Sequence, residues 1–293
     1  MKQPIVLLRR LRAAVGAGLK PALTVLLLFN DPVLSVGARA EQNAELRVCL
    51  LEDNLPLSSR KENAGFDLDT GKAVAEALQR TFLPVWVPNS TQIQEIEESD
   101  FPLRRLGKND CDAIFSIPGE EAIKDAPKAA LGAPYYGAAF EFVSRDGTGP
   151  SDLKALQETP VAVQAQTIAS FILNARKVKM HTFFSVDAAL MGVTKGEAPV
   201  AFVWGPLAGW YLRSHPDMKL AFTTGYEPPA VARWNEHVAT RQSDVALRAA
   251  IDAALGRLVT AGTLKTLAER YGLVLRSPFT ATYSAAELQK LKQ

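Results

Sequence analysis

Short apolar runs alternate with stretches of helical spacing along most of this chain. Leu46–Leu51 reads as a strand, followed by a polar turn from Asn54 to Ala64 that contains Pro56. Gly65-Phe66-Asp67-Leu68-Asp69 then opens a helix. Its apolar face takes Val74, Leu78 and Phe82 with Ala77 beside them, and its two acids suit the positive end of the helix dipole. Val85-Trp86-Val87, bounded by Pro84 and Pro88, is a short strand; Ile93–Leu106 is a weaker helix and Ala113–Ile117 another strand. This strand–helix alternation predicts a parallel sheet with covering helices.

The pattern restarts after Tyr135-Tyr136. Ala138–Val143 is a strand, Gly147–Pro150 a turn, Ser151–Lys154 a helical turn and Val161–Gln164 a strand. Thr167 stands where an N-cap would start a helix over 168–176. Val186–Val193 is helical, Val200–Trp204 a strand, and Pro206 falls at the first position of a helix running to about Arg213. Leu220–Thr223 and His237–Thr240 are strands. Two amphipathic helices follow, one with Leu247, Ile251, Ala254, Leu255 and Leu258 on a face, the other with Leu264, Leu267, Ala268 and Tyr271, and Gly262 lies between them. Residues 273–293 read as a loose tail. The terminal helices have no sheet of their own and pack most economically on the first α/β unit, which becomes discontinuous in sequence. Two crossings between the units then make a hinge and a cleft at the carboxyl ends of the strands.

The composition suits an ordinary globular protein: 293 residues, 22% charged, 47% hydrophobic, net charge +2 and a mean hydropathy near zero. With 2 cysteines and 3 scattered histidines there is little material for a metal cage, and no basic block invites nucleic acid. The first forty residues differ from the rest. Lys2, Arg9, Arg10, Arg12 and Lys20 form a basic leader, Pro21–Phe29 is an apolar run, and Ala38-Arg39-Ala40 offers a small-x-small cleavage pattern. The run falls short of the roughly 20 residues needed to span a bilayer. Residues 1–40 are therefore expected to be a signal peptide directing export to the periplasm; the alternatives are an uncleaved amphipathic anchor or a mis-assigned start codon. Six of the 33 basic residues and one of the 31 acids lie in that leader, so the remainder carries a net charge of −3.

Export places the chain where disulfides persist. Cys49 and Cys111 both sit at strands, and if those strands are neighbours a bridge closes a loop of about 60 residues, worth roughly 4 kcal/mol. Export favours the bridge; the alternative is a pair of buried free thiols.

The order of the segments Leu46-Arg47-Val48, Gly65-Phe66-Asp67-Leu68-Asp69, Cys111-Asp112-Ala113-Ile114, Pro134-Tyr135-Tyr136, Asp152-Leu153-Lys154, Val161–Thr167, Ala261-Gly262-Thr263-Leu264 and Tyr271-Gly272 resembles the periplasmic solute-binding proteins of ABC importers, family 3. The resemblance spans about residues 46–272. It implies an α/β, two-lobed periplasmic binding protein type II fold, with two Rossmann-like lobes joined by a two-strand hinge. The first lobe would be 41–137 plus 233–272, the second 138–232, and 273–293 a C-terminal tail. Within that group the chain looks most like the J-type binding proteins associated with quinoprotein methanol and alcohol dehydrogenases. Val203-Trp204-Gly205-Pro206-Leu207-Ala208-Gly209-Trp210-Tyr211, the Cys49/Cys111 pair and Asn54-Leu55-Pro56 carry this likeness. The chain departs from that group at Leu57, where Phe is usual, and at Trp86-Val87-Pro88, a shortened form of its aromatic-basic stretch.

The resemblance implies an exported, non-catalytic binding protein without a cofactor or metal, monomeric, closing on a small-molecule ligand. Its partner would be a quinoprotein dehydrogenase or, if the protein is instead the amino-acid or organic-acid binding component of an importer, an ABC permease. In the first lobe the ligand-facing residues would be Asn54, Leu57, Phe66, Tyr135 and Tyr136; in the second, Gln164, Thr167, Trp204 and Gly205. Amino-acid binders of the family hold the ligand carboxylate with an Arg and its ammonium with an Asp. Here 118–133 holds Lys124 and Lys128 but no Arg, and Trp204 stands in the Asp position, so a free amino acid is disfavoured.

Each of these residues also has a plainer reading. Trp204 is a core tryptophan, Thr167 a helix cap, and Tyr135 and Tyr136 hinge packing. Asp67 and Asp69 read as first-turn helix acids and Glu95, Glu97, Glu98 and Asp100 as a solvated face. No G-x-S-x-G, P-loop or H-E-x-x-H occurs, and His181 and His237 have no partner evident in the sequence. A periplasmic lyase or dehydratase on the same scaffold is the remaining enzymatic alternative.

Overall fold

The structure, a computed structural model, describes residues 44–88, 101–156 and 158–291. The basic leader, the acidic run at 95–100 and residues 93–100 of the weaker helix lie outside the described residues.

Strand β1 (Glu45–Leu51) buries Leu46, Val48 and Leu50. The short strands β2 (Asp53–Asn54) and β3 (Ser58–Ser59) pair antiparallel and turn the chain back. Helix α1 (Phe66–Ala77) begins after Gly65, whose φ of 138° and approach to the Leu57 carbonyl leave no room for a side chain. Asp67 and Asp69 occupy its first turn, and Phe66, Leu68, Val74 and Ala75 face the core. Phe82, which the spacing put on the helix face, belongs instead to β4 (Thr81–Val87). That strand is longer than Val85–Val87, with Pro84 inside it rather than at its boundary. β4 ends the sheet, where a residue lacking an N–H is tolerated.

After α2 (Pro102–Gly107), β5 (Ala113–Ile117) lies parallel to β1, with Val48 opposite Ala113. That register brings Cys49 and Cys111 to a Cα separation of 5.6 Å, and they form a disulfide. Strand β6 (Ala129–Leu131) and the long β7 (Tyr136–Arg145) follow.

The second half builds β8 (Val161–Gln164), α3 (Ile168–Ala175), β9 (Met180–Phe183), α4 (Val186–Lys195), β10 (Val200–Trp204), α5 (Gly205–Ser214) and β11 (Leu220–Phe222). β9 is an edge strand, half exposed, and its residues carry no apolar run. β12 (Arg233–Arg241) starts four residues before the expected His237. It is followed by α6 (Val245–Thr260), α7 (Thr263–Arg270) and α8 (Ala285–Lys290).

The strand order is β4-β1-β5-β12-β7-β10-β8-β9, with β6 on β12 and β11 on β7. β12 and β7 pair with each other over Arg233–Glu236 and Tyr136–Ala139. Beyond that stretch β12 pairs with β5 and β6 while β7 pairs with β10 and β11. Two sheets thus share two crossing strands, which makes two lobes with a hinge between them.

Each lobe has its own core. In the first, Leu46, Val48 and Leu50 pack with Phe66, Leu68 and, from α6 and α7, Ile251, Leu255 and Leu264. In the second, Phe140, Phe142 and Phe202 pack with Ile172 and Leu173 on one face, and Ala201 and Val203 with Leu190 and Ala208 on the other.

Residues 273–291 are not loose. Leu273 is buried, Arg276 pairs through its backbone with Gly137, and Tyr283, Leu288 and Leu291 pack on the second lobe's core. Among the described residues no helix is long and apolar enough to cross a membrane.

Candidate ligand cleft

The loops after β1 and β5 and those after β8 and β10, each at the carboxyl end of a strand, are where an open α/β fold of this kind binds its ligands. On the first lobe, Asn54, Leu57, Ser58, Asp67, Phe101 and Ser116 help line a cavity of about 200 Å³. Asn54 and Leu57 therefore come together in this cavity. Phe66 does not join them. It is fully buried, edge-on to Tyr136 with ring centroids 5.5 Å apart.

Behind the cavity sits a polar knot the sequence reading missed. Ser116, in the left-handed region at φ 51°, donates from Oγ to Asp67 Oδ1 at 2.6 Å. The same Oγ lies 3.2 Å from the Tyr135 hydroxyl and 2.9 Å from that of Tyr136, and the Ser116 N–H donates to Tyr135 at 3.1 Å. A non-glycine residue held there carries backbone strain of about 1–3 kcal/mol, a cost that such networks sustain at working sites. Tyr135 and Tyr136 are buried hinge residues whose hydroxyls point into this knot, and burial raises both phenols.

Asp67 is buried, and among the described residues no cation pairs with it. Loss of solvent pushes its carboxyl up to about 7, opposed by the Ser116 hydrogen bond. Glu236, opposite Tyr136 in the hinge, is pushed up to about 8 by burial and then by the charge of Asp67. Among the described residues its Oε2 has no hydrogen-bond partner. The wall thus presents Asp67, an acid that changes charge near neutrality, with Glu236 buried in the hinge, and among the described residues no guanidinium lines the cavity. Lys124 and Lys128 are exposed.

The second lobe's residues divide between separate surfaces. Thr167 caps α3: its Oγ1 accepts from the Ser170 N–H at 3.2 Å and donates to the Gln164 carbonyl at 2.8 Å, and Ser170 Oγ accepts from the Thr167 N–H. Its hydroxyl is committed to the cap. Gln164 donates to the Phe184 carbonyl at 3.3 Å and borders a groove with Ser185, Trp210 and Tyr211. Thr167 borders another groove with Ser170, Met180 and, from the C-terminal helix, Leu288.

Trp204 ends β10 and Gly205 begins α5. The indole lies 5.4 Å from the rings of both Phe140 and Trp234, edge-on to each, and packs against the cores of both lobes while remaining partly exposed. It offers an apolar surface and an N–H donor at the junction. The nine residues therefore fall into a first-lobe cavity, a buried hinge knot and three second-lobe positions.

Two of the histidines have partners of their own. His237 Nδ1 donates to the Gly132 carbonyl at 2.8 Å, and His215 stacks on Tyr211. Among the described residues no three His, Cys, Asp or Glu side chains gather to hold a metal.

No protein-family model and no curated protein matches the sequence. Solved structures do match the fold. The L-cystine solute receptor of Neisseria gonorrhoeae, in its unliganded open conformation, aligns with a TM-score of 0.66 at 15% identity, covering 79% of this chain and 93% of that one. MxaJ from Methlophaga aminisulfidivorans MPT aligns at 0.57 and 20% identity, covering 78% and 99%. The second substrate-binding domain of an amino acid ABC transporter from Streptococcus pneumoniae Canada MDR_19A aligns at 0.62 and 14% identity, covering 78% and 100%. The chain has the two-lobed type II fold that these solved structures share.

Proposed function

We propose that this protein is an exported, non-catalytic solute-binding protein whose lobes, 41–137 plus 233–272 and 138–232, close on a small, weakly charged ligand as an accessory of a periplasmic quinoprotein alcohol dehydrogenase. One observation carries the ligand class. Among the described residues the first-lobe wall holds the buried acid Asp67 and no guanidinium, and Trp204 takes the second-lobe strand end. A carboxylate would find no cation there to pair with among the described residues, whereas a hydroxyl can donate to Asp67 and lay its carbon chain on the indole. The resemblance to J-type proteins and the fold shared with MxaJ support the dehydrogenase side of the reading. The disulfide, which persists in oxidising compartments, supports export.

Titration of the purified chain against a quinoprotein alcohol dehydrogenase, followed by light scattering, tests the partnership. A defined complex is expected; two species that never associate contradict it.

A second reading rests on Asp67 alone. A carboxyl titrating near 7 beside a cavity is also what a general base requires, which suits a lyase on this scaffold. It requires turnover that Asp67→Asn abolishes, whereas the binding reading expects none.

A further inference from the structure

The fold needs two crossings between its lobes, and this chain has a third. Leu273 and Leu275 pack in the first lobe's core, and from there the chain runs onto the hinge. At Gly137 it pairs as a strand: the Gly137 N–H donates to the Arg276 carbonyl at 2.7 Å and the Arg276 N–H returns the bond at 3.2 Å. A side chain at Gly137 would collide with Phe279, so the glycine admits the crossing segment. Gly137 is opposite Asn235 in the pairing of β7 with β12, and Asn235 binds the same segment. Its side chain donates to the Phe279 carbonyl at 3.0 Å and accepts from the Phe279 N–H at 2.8 Å. Both hinge strands are thus bonded to the C-terminal segment at the same level.

The far end is fixed to the second lobe. Arg276 grips the buried carboxylate of Glu141 through Nε at 2.8 Å and Nη2 at 3.0 Å, a bidentate pair. On the hinge strand β12, Arg233 donates to the Ala281 carbonyl at 2.7 Å, and the Tyr283 N–H donates to the Arg233 carbonyl at 2.8 Å. The Tyr283 ring stacks on Trp234 at 4.9 Å, and Trp234 in turn meets Trp204 at 5.4 Å. α8 then lies against the second lobe, while its Ala285 N–H reaches Glu121 beyond β5 of the first.

We infer that residues 273–291 are a strap regulating the cleft: they restrain rotation of the lobes about β7 and β12 and set the open–closed balance on which ligand affinity depends. Lobe rotation must twist the hinge at Gly137 and Asn235, and the strap must twist with it or detach. A ligand pays for any unfavourable balance in apparent affinity, so strap residues tune binding without touching the ligand. The purpose assigned here rests on the cleft reading, but the test below needs no ligand, so the two fail separately.

The test is a spin-label distance measurement on the full chain, with labels at Lys61→Cys in the first lobe and Lys195→Cys in the second, both exposed positions. Labelling leaves the native cysteines alone because they are bonded to each other. The unaltered strap is expected to give a narrow distance distribution. Arg276→Ala and, separately, Tyr283→Ala are expected to broaden it, and Lys290→Ala, which touches only strap residue Glu287 in the ion pairs, to leave it unchanged. Distributions that superimpose for a folded Arg276→Ala or Tyr283→Ala overturn the inference. Tyr283→Ala decides it alone if Arg276→Ala does not fold.

Discussion

Ser116 Oγ lies 2.6 Å from Asp67 Oδ1, and this hydrogen bond ties the end of β5 to the first turn of α1 just where the two lobes meet. It stabilises the charged form of Asp67, but burial outweighs it and the carboxyl is pushed up to about 7.

That imbalance has a consequence for pH. Asp67 and Glu236 stay protonated in the fold up to about 7 and about 8, far above unfolded carboxyls near pH 4. Across that window the native state holds protons the unfolded chain has released, so stability is full below it and falls as pH rises through it. Thermal melting at pH 5.5 is expected to exceed that at pH 8.5, and Asp67→Asn with Glu236→Gln to flatten the difference. Equal slopes for the double variant and the parent contradict the assignment.

The disulfide joins residues 62 apart in sequence and both sulfurs are buried. Replacing Cys49 and Cys111 by Ala is expected to lower unfolding stability by about 4 kcal/mol on the loop-entropy account. Urea denaturation measures it; a midpoint unchanged by the replacement contradicts that account.

Asp112 gathers three elements. Burial pushes its carboxyl up, but hydrogen bonds from Arg47 in β1 and Arg241 in β12 outweigh this and hold it below the usual range. Asp112→Ala leaves both guanidiniums without that partner. They retain some solvent, so the expected loss is about 2 kcal/mol rather than the larger cost of orphaning a fully buried charge. The stability supplied by this carboxylate is present above its unfolded value and lost as pH falls through the lowered one. Denaturation at pH 7 checks the loss, and a variant as stable as the parent contradicts it.

Local signals were legible in the sequence and distant ones were not. Thr167 stands before an apolar helical run, and that position alone marks it as a cap. The Cys49/Cys111 bridge followed from strands that turned out to be neighbours. The strap was invisible because its partners are remote: Arg276 meets Glu141 across 135 positions and Phe279 meets Asn235 across 44. Ser116 hid inside an apolar strand, and only the fold brings three hydroxyl and carboxyl partners to it. Gln164, Thr167 and Trp204 follow the same strand-end logic, yet they border different surfaces, because spacing predicts a strand's end and not the direction of each side chain.

Thermal denaturation of the chain in the presence of neutral alcohols, organic acids and amino acids puts the central claim to its most direct test. A ligand at one hundred times its dissociation constant adds about 2.7 kcal/mol to native stability. The account expects a neutral hydroxyl compound to raise the melting temperature, amino acids to do so less or not at all, and Trp204→Ala to erase the gain. A panel without a single shift, or a shift that survives Trp204→Ala intact, would contradict a cleft that closes on a small, weakly charged ligand beside that indole.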